Sequence, residues 1–229
     1  MAPGLIIFEN ADFAIVNKPE GIEFHDNNSV KGFFTELKAN IIDRIYAVHR
    51  LDKITSGLMI VAKNRDAAAE FGSILRNNQL GKIYIGVTAG KPLQKGATIT
   101  GDIIRSRNGL WRLSRTLINP SITHFRSLPL TKGFRLFVLY PVTGKTHQLR
   151  VVMKSNSTAI TGDTDYSKIS IGIQKFDRGY LHCYRLTFHF KGKPYNFILK
   201  PEKGLFDKIN DSLYKQIDDL SDLLLRQTP

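Results

Sequence analysis

The sequence predicts an α+β fold, with a mixed, mainly antiparallel sheet and helices on its faces. Short apolar runs separated by Gly, Pro, Asn and Asp dominate the chain, and such runs are typical of strands joined by turns. Helical patterns are too few for a repeating βαβ arrangement. The 229 residues, 42% of them hydrophobic, suffice for one large domain or two small ones, and we expect residues 1–229 to form a single domain.

Strand and helix signals alternate in the first part of the chain. Two apolar runs around an Asn-Ala-Asp turn predict a hairpin, and an apolar run directly after a Thr-Ser-Gly turn predicts a buried strand. Asn64 has the side chain of an N-cap for a helix that ends near Asn77. The predicted strands are 5–8, 13–16 and 58–62, and the predicted helices are 30–39 and 65–77.

Strands predominate in the second part of the chain. Residues 82–139 predict several strands, the last at 134–139, and residues 146–153 predict a helix. Strands at 180–190 and 195–199 form a predicted hairpin. Residues 204–225 form the clearest predicted helix, because apolar side chains recur every three or four positions. We expect this helix to pack on the domain, although dimerisation through its apolar stripe is an alternative.

The charge of the chain points to a polyanionic partner. Thirty-three Lys and Arg against twenty Asp and Glu give a net charge of +13, which attracts polyanions. Nucleic acid is favoured over membranes, because no segment joins a basic face to a strongly apolar one and no run reaches the roughly 18 apolar residues of a membrane span. The one cysteine, Cys183, excludes an internal disulfide, and no secretory signal is visible, so we expect a cytoplasmic protein.

Two segments carry residues suited to an active site. HRLDKITSGL at 49–58 sets Asp52 between cations, in a turn that precedes the strand at 58–62. TGKTHQLR at 143–150 likewise follows an apolar strand. Turns of this composition also occur without any function, so the residues alone leave both interpretations open.

Together these segments resemble the RluA family of pseudouridine synthases, which carries HRLDxxTSGL and TGRTHQIR motifs. Three further segments match the family in its order: FAIVNKPEGI at 13–22, LGKIYIGV at 80–87 and LHCYRL at 181–186. The family's GDxxYG segment is GDTDYS here, with Ser167 in place of the last glycine. The resemblance covers roughly residues 5–200 and implies a catalytic domain with a central cleft. Because the motifs begin close to Met1, we expect no accessory RNA-binding domain ahead of it.

The resemblance implies an isomerase that converts a uridine of ribosomal RNA or tRNA into pseudouridine, without a metal or an organic cofactor. It makes Asp52 the catalytic carboxylate and Arg150 the guanidinium that stabilises it. It makes Tyr84 the residue that stacks on the uracil or moves a proton. A buried Asp–Arg pair and a strand tyrosine are also common structural elements, so the surrounding motifs carry these assignments.

The candidate RNA interface combines motif residues with a basic segment. Residues 105–115 hold four arginines and one tryptophan around an Asn-Gly turn, which predicts a hairpin. This hairpin either binds RNA or is a solvent-exposed hairpin in which Trp111 packs on the rest of the domain. Arg50 fills the gap left by an extruded base or contacts a phosphate. The predicted RNA-binding residues are Arg50, His49, Thr55, Lys145, Thr146, His147, Arg105, Arg107, Trp111, Arg112 and Arg115, of which His49 and Thr55 shape the turn.

Two other functions remain open at this point. One is a non-catalytic RNA-binding or folding factor that retains the same cleft. The other is a glycosidase or nuclease, which needs a second carboxylate roughly 5–10 Å from Asp52. Asp102, Asp163 and Asp165 are candidates by residue type only. We expect a monomer that binds RNA, associates with no membrane and needs no protein partner.

Overall fold

The structure is a computed structural model and describes residues 4–28, 30–40, 44–167 and 176–227. Its strands are β1 (Ile6–Glu9), β2 (Phe13–Lys18), β3 (Tyr46–Ala47), β4 (Thr55–Ala62), β5 (Gly81–Ala89), β6 (Gly96–Gly101), β7 (Ile103–Arg105), β8 (Trp111–Leu113), β9 (Ser121–Thr131), β10 (Phe134–Pro141), β11 (Leu181–Phe190) and β12 (Lys193–Ile198). Its helices are α1 (Phe33–Asn40), α2 (Arg65–Arg76), α3 (Gln148–Ser155) and α4 (Asp211–Leu225).

The chain divides into two compact units. The first comprises Met1–Gly81 and His182–Pro201, and the second comprises Lys82–Leu181 and Glu202–Pro229. Strand pairings within each unit are antiparallel, and helices accompany the strands in both, which confirms the predicted α+β class. The expectation that residues 1–229 form a single domain stays a prediction.

In the first unit, β4 is the central strand. The order is β1-β2-β4-β11, β12 pairs with β11, and β3 pairs with the end of β4. All eight residues of β4 are buried. Gly57 takes a φ of +107°, and a Cβ there would lie 2.4 Å from the carbonyl oxygen of Cys183 on β11. Only glycine allows so close an approach between these two strands.

An aromatic cluster forms the core of the first unit. The ring of Phe13 on β2 lies 5.4 Å from that of Phe71 on α2, and it lies 5.6 and 5.2 Å from Phe188 and Phe190 on β11. Most of these contacts are edge-to-face, the arrangement that aromatic quadrupoles favour. The cluster therefore anchors α2 to the sheet beneath it.

The second unit contains the strand order β5-β10-β9-β6 and a separate two-stranded ribbon, β7-β8. Helix α4 packs on β9 and β10, and α3 packs on β8, β9 and β10. The 3₁₀ turn Arg107–Gly109 joins β7 to β8, with Asn108 and Gly109 both at positive φ. This confirms the hairpin predicted around the Asn-Gly turn. No helix in the described ranges is long and apolar enough to span a membrane.

The prediction of one continuous helix over residues 204–225 is wrong. A 3₁₀ turn, Gly204–Lys208, is followed by extended backbone at Ile209, and α4 begins only after Asn210. The side-chain oxygen of Asn210 accepts the N–H of Leu213 at 2.9 Å, so Asn210 is an N-cap. The apolar periodicity continues through the break because Phe206 and Ile209 are also buried.

Two other predicted helices begin later than expected. Val30 forms a bridge with Asn27 instead of starting the helix at 30–39, and α1 begins at Phe33. The helix predicted at 146–153 begins at Gln148, because His147 takes a left-handed φ of 53°. By contrast, Asn64 caps α2 as predicted, since its side chain accepts the N–H of Ala67 at 2.8 Å.

The cap at Asn210 gives a prediction for stability. Asn210→Ala removes the acceptor for the N–H of Leu213, so we expect a loss of about 1 kcal/mol in the free energy of unfolding. For a chain of this size the melting temperature then falls by roughly 2–4 °C. Asn210→Asp keeps an acceptor and serves as the control. Equal melting temperatures for the two variants in a thermal scan would contradict the assignment.

Candidate active site

Asp52 lies in a tight turn at the start of β4. The N–H of Thr55 donates to the carbonyl oxygen of Asp52 at 3.0 Å, which closes the turn. Leu51 and Thr55 are buried, whereas Asp52 is half-buried and its neighbours Arg50 and Lys53 are exposed. The turn thus brings a carboxylate and two cations to the surface above a buried strand. The burial of Thr55 agrees with a role in shaping the turn.

A buried ammonium holds this turn from below. Lys18, at the end of β2, is 0% exposed. Its Nζ donates to the carbonyl oxygens of Pro19 at 2.9 Å, Thr55 at 3.1 Å and Asp52 at 3.3 Å. The N–H of Gly21 also donates to the carbonyl oxygen of Lys53 at 2.7 Å. The segment NKPEG, part of the FAIVNKPEGI motif, therefore positions the turn that contains Asp52.

Sequence reasoning missed Lys18 as a site residue. A signal was present, because this lysine directly continues the apolar strand FAIVN and β2 is buried along most of its length. A buried charge is costly unless it is hydrogen-bonded, so a lysine in that place indicates polar partners. The partners in the Asp52 turn, however, lie 34 and 37 residues away along the chain, and no local pattern identifies them.

Histidines support both sides of β4. Nε2 of His49 accepts the N–H of Ile60 at 3.1 Å. His182 is buried, its Nε2 lies 2.9 Å from the carbonyl oxygen of Leu199, and its Nδ1 lies 2.8 Å from the hydroxyl of Ser56. Because a carbonyl only accepts, Nε2 of His182 carries the proton and Nδ1 accepts from Ser56. This contact joins the TSGL segment to the LHCYRL segment.

In the second unit, Arg150 is the centre of a buried ion network. Its Nε donates to Oδ2 of Asp163 at 2.7 Å, and its Nη2 donates to Oδ1 of Asp163 at 2.8 Å and to Oδ2 of Asp165 at 2.6 Å. The side chain of Asp163 is 0% exposed and that of Asp165 is 48% exposed. The guanidinium also lies over the ring of Tyr166, 4.9 Å from its centroid. The GDTDYS segment therefore wraps around Arg150.

Tyr166 extends this network to the start of α3. Its hydroxyl accepts the N–H of Trp111 at 3.1 Å and lies 2.9 Å from Nδ1 of His147. Burial raises the pKa of Tyr166, so its hydroxyl keeps its proton, and the direction of its hydrogen bond with Nδ1 of His147 follows the tautomer of that imidazole. His147 therefore orients the residues that begin α3, in addition to its predicted place in the RNA interface.

The structure favours the packed alternative for Trp111. Trp111 is partly buried, and it packs with its neighbours on a cluster made of Val151, Ala159 and Tyr166. Arg105 lies over the indole ring, 5.4 Å from the centroid. Of the four arginines in residues 105–115, Arg105, Arg112 and Arg115 are exposed. The side chain of Arg107 lies outside the described residues.

Gln148 organises the loop between β10 and α3. Its Oε1 accepts from the hydroxyl of Thr143 at 2.8 Å and from the N–H of Lys145 at 2.9 Å. Nζ of Lys145 donates to the side-chain oxygen of Asn119 at 2.5 Å. Thr146 is exposed. The loop thus keeps Lys145 partly exposed and Thr146 exposed at the surface.

Asp102 has a structural role in the neighbouring loop. Its carboxylate accepts the N–H groups of Ile118 at 3.0 Å and Asn119 at 2.9 Å. Hydrogen bonding by Thr116 and by these N–H groups lowers the pKa of Asp102, which keeps it ionised at neutral pH. Across the described ranges, no group of three or more His, Cys, Asp or Glu side chains is arranged to hold a metal ion.

The three predicted catalytic residues fall in different units. Asp52 belongs to the first unit, and Tyr84 and Arg150 belong to the second. Tyr84 lies on β5 opposite Leu139 of β10 and is 8% exposed. The pairing of Asp52 with Arg150 stays a prediction. The structure adds partners for Arg150 that the sequence did not assign, namely Asp163 and Asp165.

Comparison with known proteins identifies relatives of the whole chain. The sequence profile of RNA pseudouridylate synthases matches residues 12–155. An "Uncharacterized RNA pseudouridine synthase" of Haemophilus influenzae is 40% identical over 214 residues, which cover 93% of each chain. A "Ribosomal large subunit pseudouridine synthase D" of Buchnera aphidicola is 32% identical over 203 residues, covering 80% of this chain and 65% of that protein.

Two solved human structures share the fold. "RNA Pseudouridylate Synthase Domain Containing 1" has a TM-score of 0.75 at 24% identity, covering 100% of this chain and 99% of that one. "RNA Pseudouridylate Synthase Domain Containing 4" has a TM-score of 0.71 at 23% identity, covering 89% of this chain and 90% of that one. At such low identity these similarities support the fold alone.

The hydrogen bonds of Lys18 predict a large effect of its removal. Lys18→Met keeps the length of the side chain but removes the buried ammonium that donates to the carbonyl oxygens of Pro19, Asp52 and Thr55. We expect a loss of roughly 2–4 kcal/mol in the free energy of unfolding, measured by urea denaturation. Lys53→Met, at an exposed position of the same turn, is the control and should change stability little. Equal midpoints for the two variants would contradict the role of Lys18.

The two carboxylates around Arg150 form a matched pair for mutation. Asp163→Asn leaves a buried guanidinium without its bidentate partner, so we expect a loss of roughly 3–5 kcal/mol in the free energy of unfolding. Asp165→Asn changes a half-exposed partner, for which solvent screening limits the loss to less than about 1 kcal/mol. Chemical denaturation measures both losses. A larger loss for Asp165→Asn would refute this account of the network.

Proposed function

Because this chain belongs to the RNA pseudouridylate synthase family, whose members isomerise uridine to pseudouridine in RNA, we propose that Asp52 is its catalytic carboxylate. The observation that supports this assignment best is the turn at the start of β4. It holds Asp52 half-buried between exposed cations, and a buried lysine fixes its backbone. A carboxylate placed in this way is oriented by the fold and still accessible to a substrate.

The reaction needs a carboxylate that stays ionised. The N1–C1′ bond of the uridine breaks, the base turns, and C5 joins C1′; C5 then loses its proton and N1 gains one, so there is no net redox change. Asp52 either attacks or assists the loss of the base, and both roles require the anion. A guanidinium nearby favours that anion. We assign this role to Arg150, which matches the arginine of the family's THQIR motif and whose guanidinium is held in place by Asp163 and Asp165.

Tyr84 and Arg50 complete the proposed site. Tyr84 stacks on the uracil or moves a proton late in the reaction. Arg50 is exposed beside Asp52 and either fills the space of the extruded base or binds a phosphate. The exposure of Thr146, Arg105, Arg112 and Arg115 supports their place in the RNA interface, together with the partly exposed Lys145. Trp111 and His147 contribute by holding this surface to Tyr166.

Ribosomal RNA of the large subunit is the substrate we propose to test first. Relatives at 31–32% identity are named as synthases of the large ribosomal subunit. Transfer RNA is the second class to test. A substrate of either kind agrees with a monomer that works in the cytoplasm without a protein partner.

The hypothesis that the protein is a glycosidase or nuclease is less well supported. It requires a second carboxylate that is available to the substrate. Asp102 is buried and bound by the backbone of Ile118 and Asn119, and Asp163 is buried and bound by Arg150. Asp165 is half exposed and is also bound by Arg150. All three candidate carboxylates are therefore engaged within the second unit. The hypothesis of a non-catalytic RNA-binding factor is tested by measuring both turnover and RNA binding.

The proposed role of Asp52 predicts a separation of turnover from binding. In metal-free buffer with uridine-labelled RNA, the wild-type chain should form an isomer of unchanged mass. Asp52→Asn should lower this rate by at least about 100-fold, since it removes the reacting carboxylate, while RNA affinity stays within about twofold. Asp219→Asn, at an exposed position of α4, is the control and should keep full activity.

Other outcomes contradict the proposal in different ways. Near-normal turnover by Asp52→Asn would exclude Asp52 as the catalytic group. Cleaved RNA or free uracil would support the hydrolase reading. Binding without any product, across ribosomal RNA and tRNA, would support the non-catalytic factor. Mapping pseudouridines in RNA from cells with and without the gene would then identify the modified position.

A further inference from the structure

We propose that a basic cavity in the first unit is a second RNA site, which binds a phosphate-bearing nucleotide of the substrate at a distance from Asp52. The inference rests on the proposed function only in taking RNA as the ligand. The cavity has a volume of about 550 Å³. Its lining comes from the end of α1, from β3 and from the junction of β4 and α2, and consists of Lys38, Arg44, Ile45, Tyr46, Lys63, Asn64 and Arg65.

Positive charge dominates this cavity. Four of the seven lining residues are cations, and none is acidic. Lys63 is engaged, because its Nζ binds the carboxylate of Glu9 at 2.5 Å and the carbonyl oxygen of Asn10 at 2.9 Å. Lys38, Arg44 and Arg65 are exposed, and none forms an ion pair with a carboxylate of the described residues. These three cations leave a positive charge at the cavity that a ligand can neutralise.

The walls of the cavity fit a nucleotide. Two guanidiniums suit the oxygens of a phosphate, which they bind in a bidentate manner. Tyr46 is half-buried at the edge strand β3, so its ring offers a face for a base or a sugar. Asn64 is already committed to capping α2 and to Asp12, and it therefore acts as a wall. The volume of about 550 Å³ lies within the usual range of roughly 300–1,000 Å³ for small-ligand sites.

The cavity is too far from Asp52 to be part of the uridine site. Asp52 precedes β4, whereas Lys63, Asn64 and Arg65 follow its last residue. Eight strand residues at ~3.3 Å each separate the two ends by roughly 25 Å. An RNA ligand must span this distance of roughly 25 Å to reach from one end of β4 to the other. The second site therefore acts only on RNA that extends well beyond the reacting uridine.

The test compares two triple variants of the full-length chain. The cavity variant is Lys38→Gln, Arg44→Gln and Arg65→Gln. The control variant is Arg76→Gln, Lys132→Gln and Lys215→Gln, three exposed cations that do not line the cavity. Both lower the net charge by three, from +13 to +10, so non-specific attraction falls equally. Melting temperatures establish that both variants are folded.

The probes are two RNA hairpins with the same loop and with stems of 4 and 16 base pairs. Affinity and its salt dependence are measured for each, without turnover. For the long hairpin we expect the cavity variant to bind about tenfold more weakly than the control variant. The slope of log affinity against log salt should also be smaller by about one, since ~0.9 is lost for each phosphate contact and the cavity binds one phosphate. For the short hairpin the two variants should bind equally.

Three results would overturn the inference. Equal affinities of the two variants for the long hairpin would mean that the cavity does not contact RNA. An equal extra loss on both hairpins would mean that these cations act close to the uridine. A third result would be that inorganic phosphate raises the melting temperature of the wild-type chain but not of the cavity variant, while the two variants bind RNA equally. This would assign the cavity to a free anion. A failure of the proposed isomerase activity is seen separately, as absence of pseudouridine, and leaves these affinities interpretable.

Discussion

The hydrogen bonds of the buried Lys18 ammonium are the interaction on which the candidate site depends. They join the end of β2 to the backbone of the Asp52 turn, at both Asp52 and Thr55. A buried charge destabilises a protein unless polar groups surround it, and here carbonyl oxygens do so. A lysine suits this place better than an arginine, because the carbonyl oxygens converge on one point and the planar guanidinium could not follow them. The backbone that carries the proposed catalytic carboxylate is thus set by a contact inside the fold.

In the second unit a buried charge again positions a loop, but here the charge is a carboxylate that accepts hydrogen bonds. The buried carboxylate of Asp163 binds Arg150 through two parallel hydrogen bonds, and it also accepts the N–H groups of Asp165 and Tyr166. One side chain therefore fixes both the guanidinium and the loop around it. The hydroxyl of Tyr166 accepts the N–H of Trp111, and this bond holds the β7-β8 hairpin to the same network. Loops without regular structure are positioned by buried ions in both units, which is the preorganisation that a catalytic site needs.

For the attraction of RNA, the distribution of charge over the protein matters more than the net charge. Lys18 and Arg150 add to the net charge, but each is compensated locally by carbonyl oxygens or carboxylates. Attraction of RNA must therefore come from exposed cations. At physiological ionic strength their influence extends only about 8 Å, so separate clusters act on separate parts of a ligand. Arg50 and Lys53 lie beside Asp52, whereas the cations of the basic cavity lie beyond the other end of β4.

The sequence by itself determined the α+β class, the strand that follows the Asp52 turn and the cap at Asn64, because strand periodicity, turn residues and caps depend on near neighbours. It also determined the family, since the motifs occur in order along the chain. Local pattern failed at Asn210, where apolar spacing continued through the end of a helix. Only the tertiary structure decided the partners of Lys18 and Arg150 and the packing of Trp111. A buried side chain takes its partners from segments that folding brings together, and the spacing of neighbours along the chain does not encode that choice.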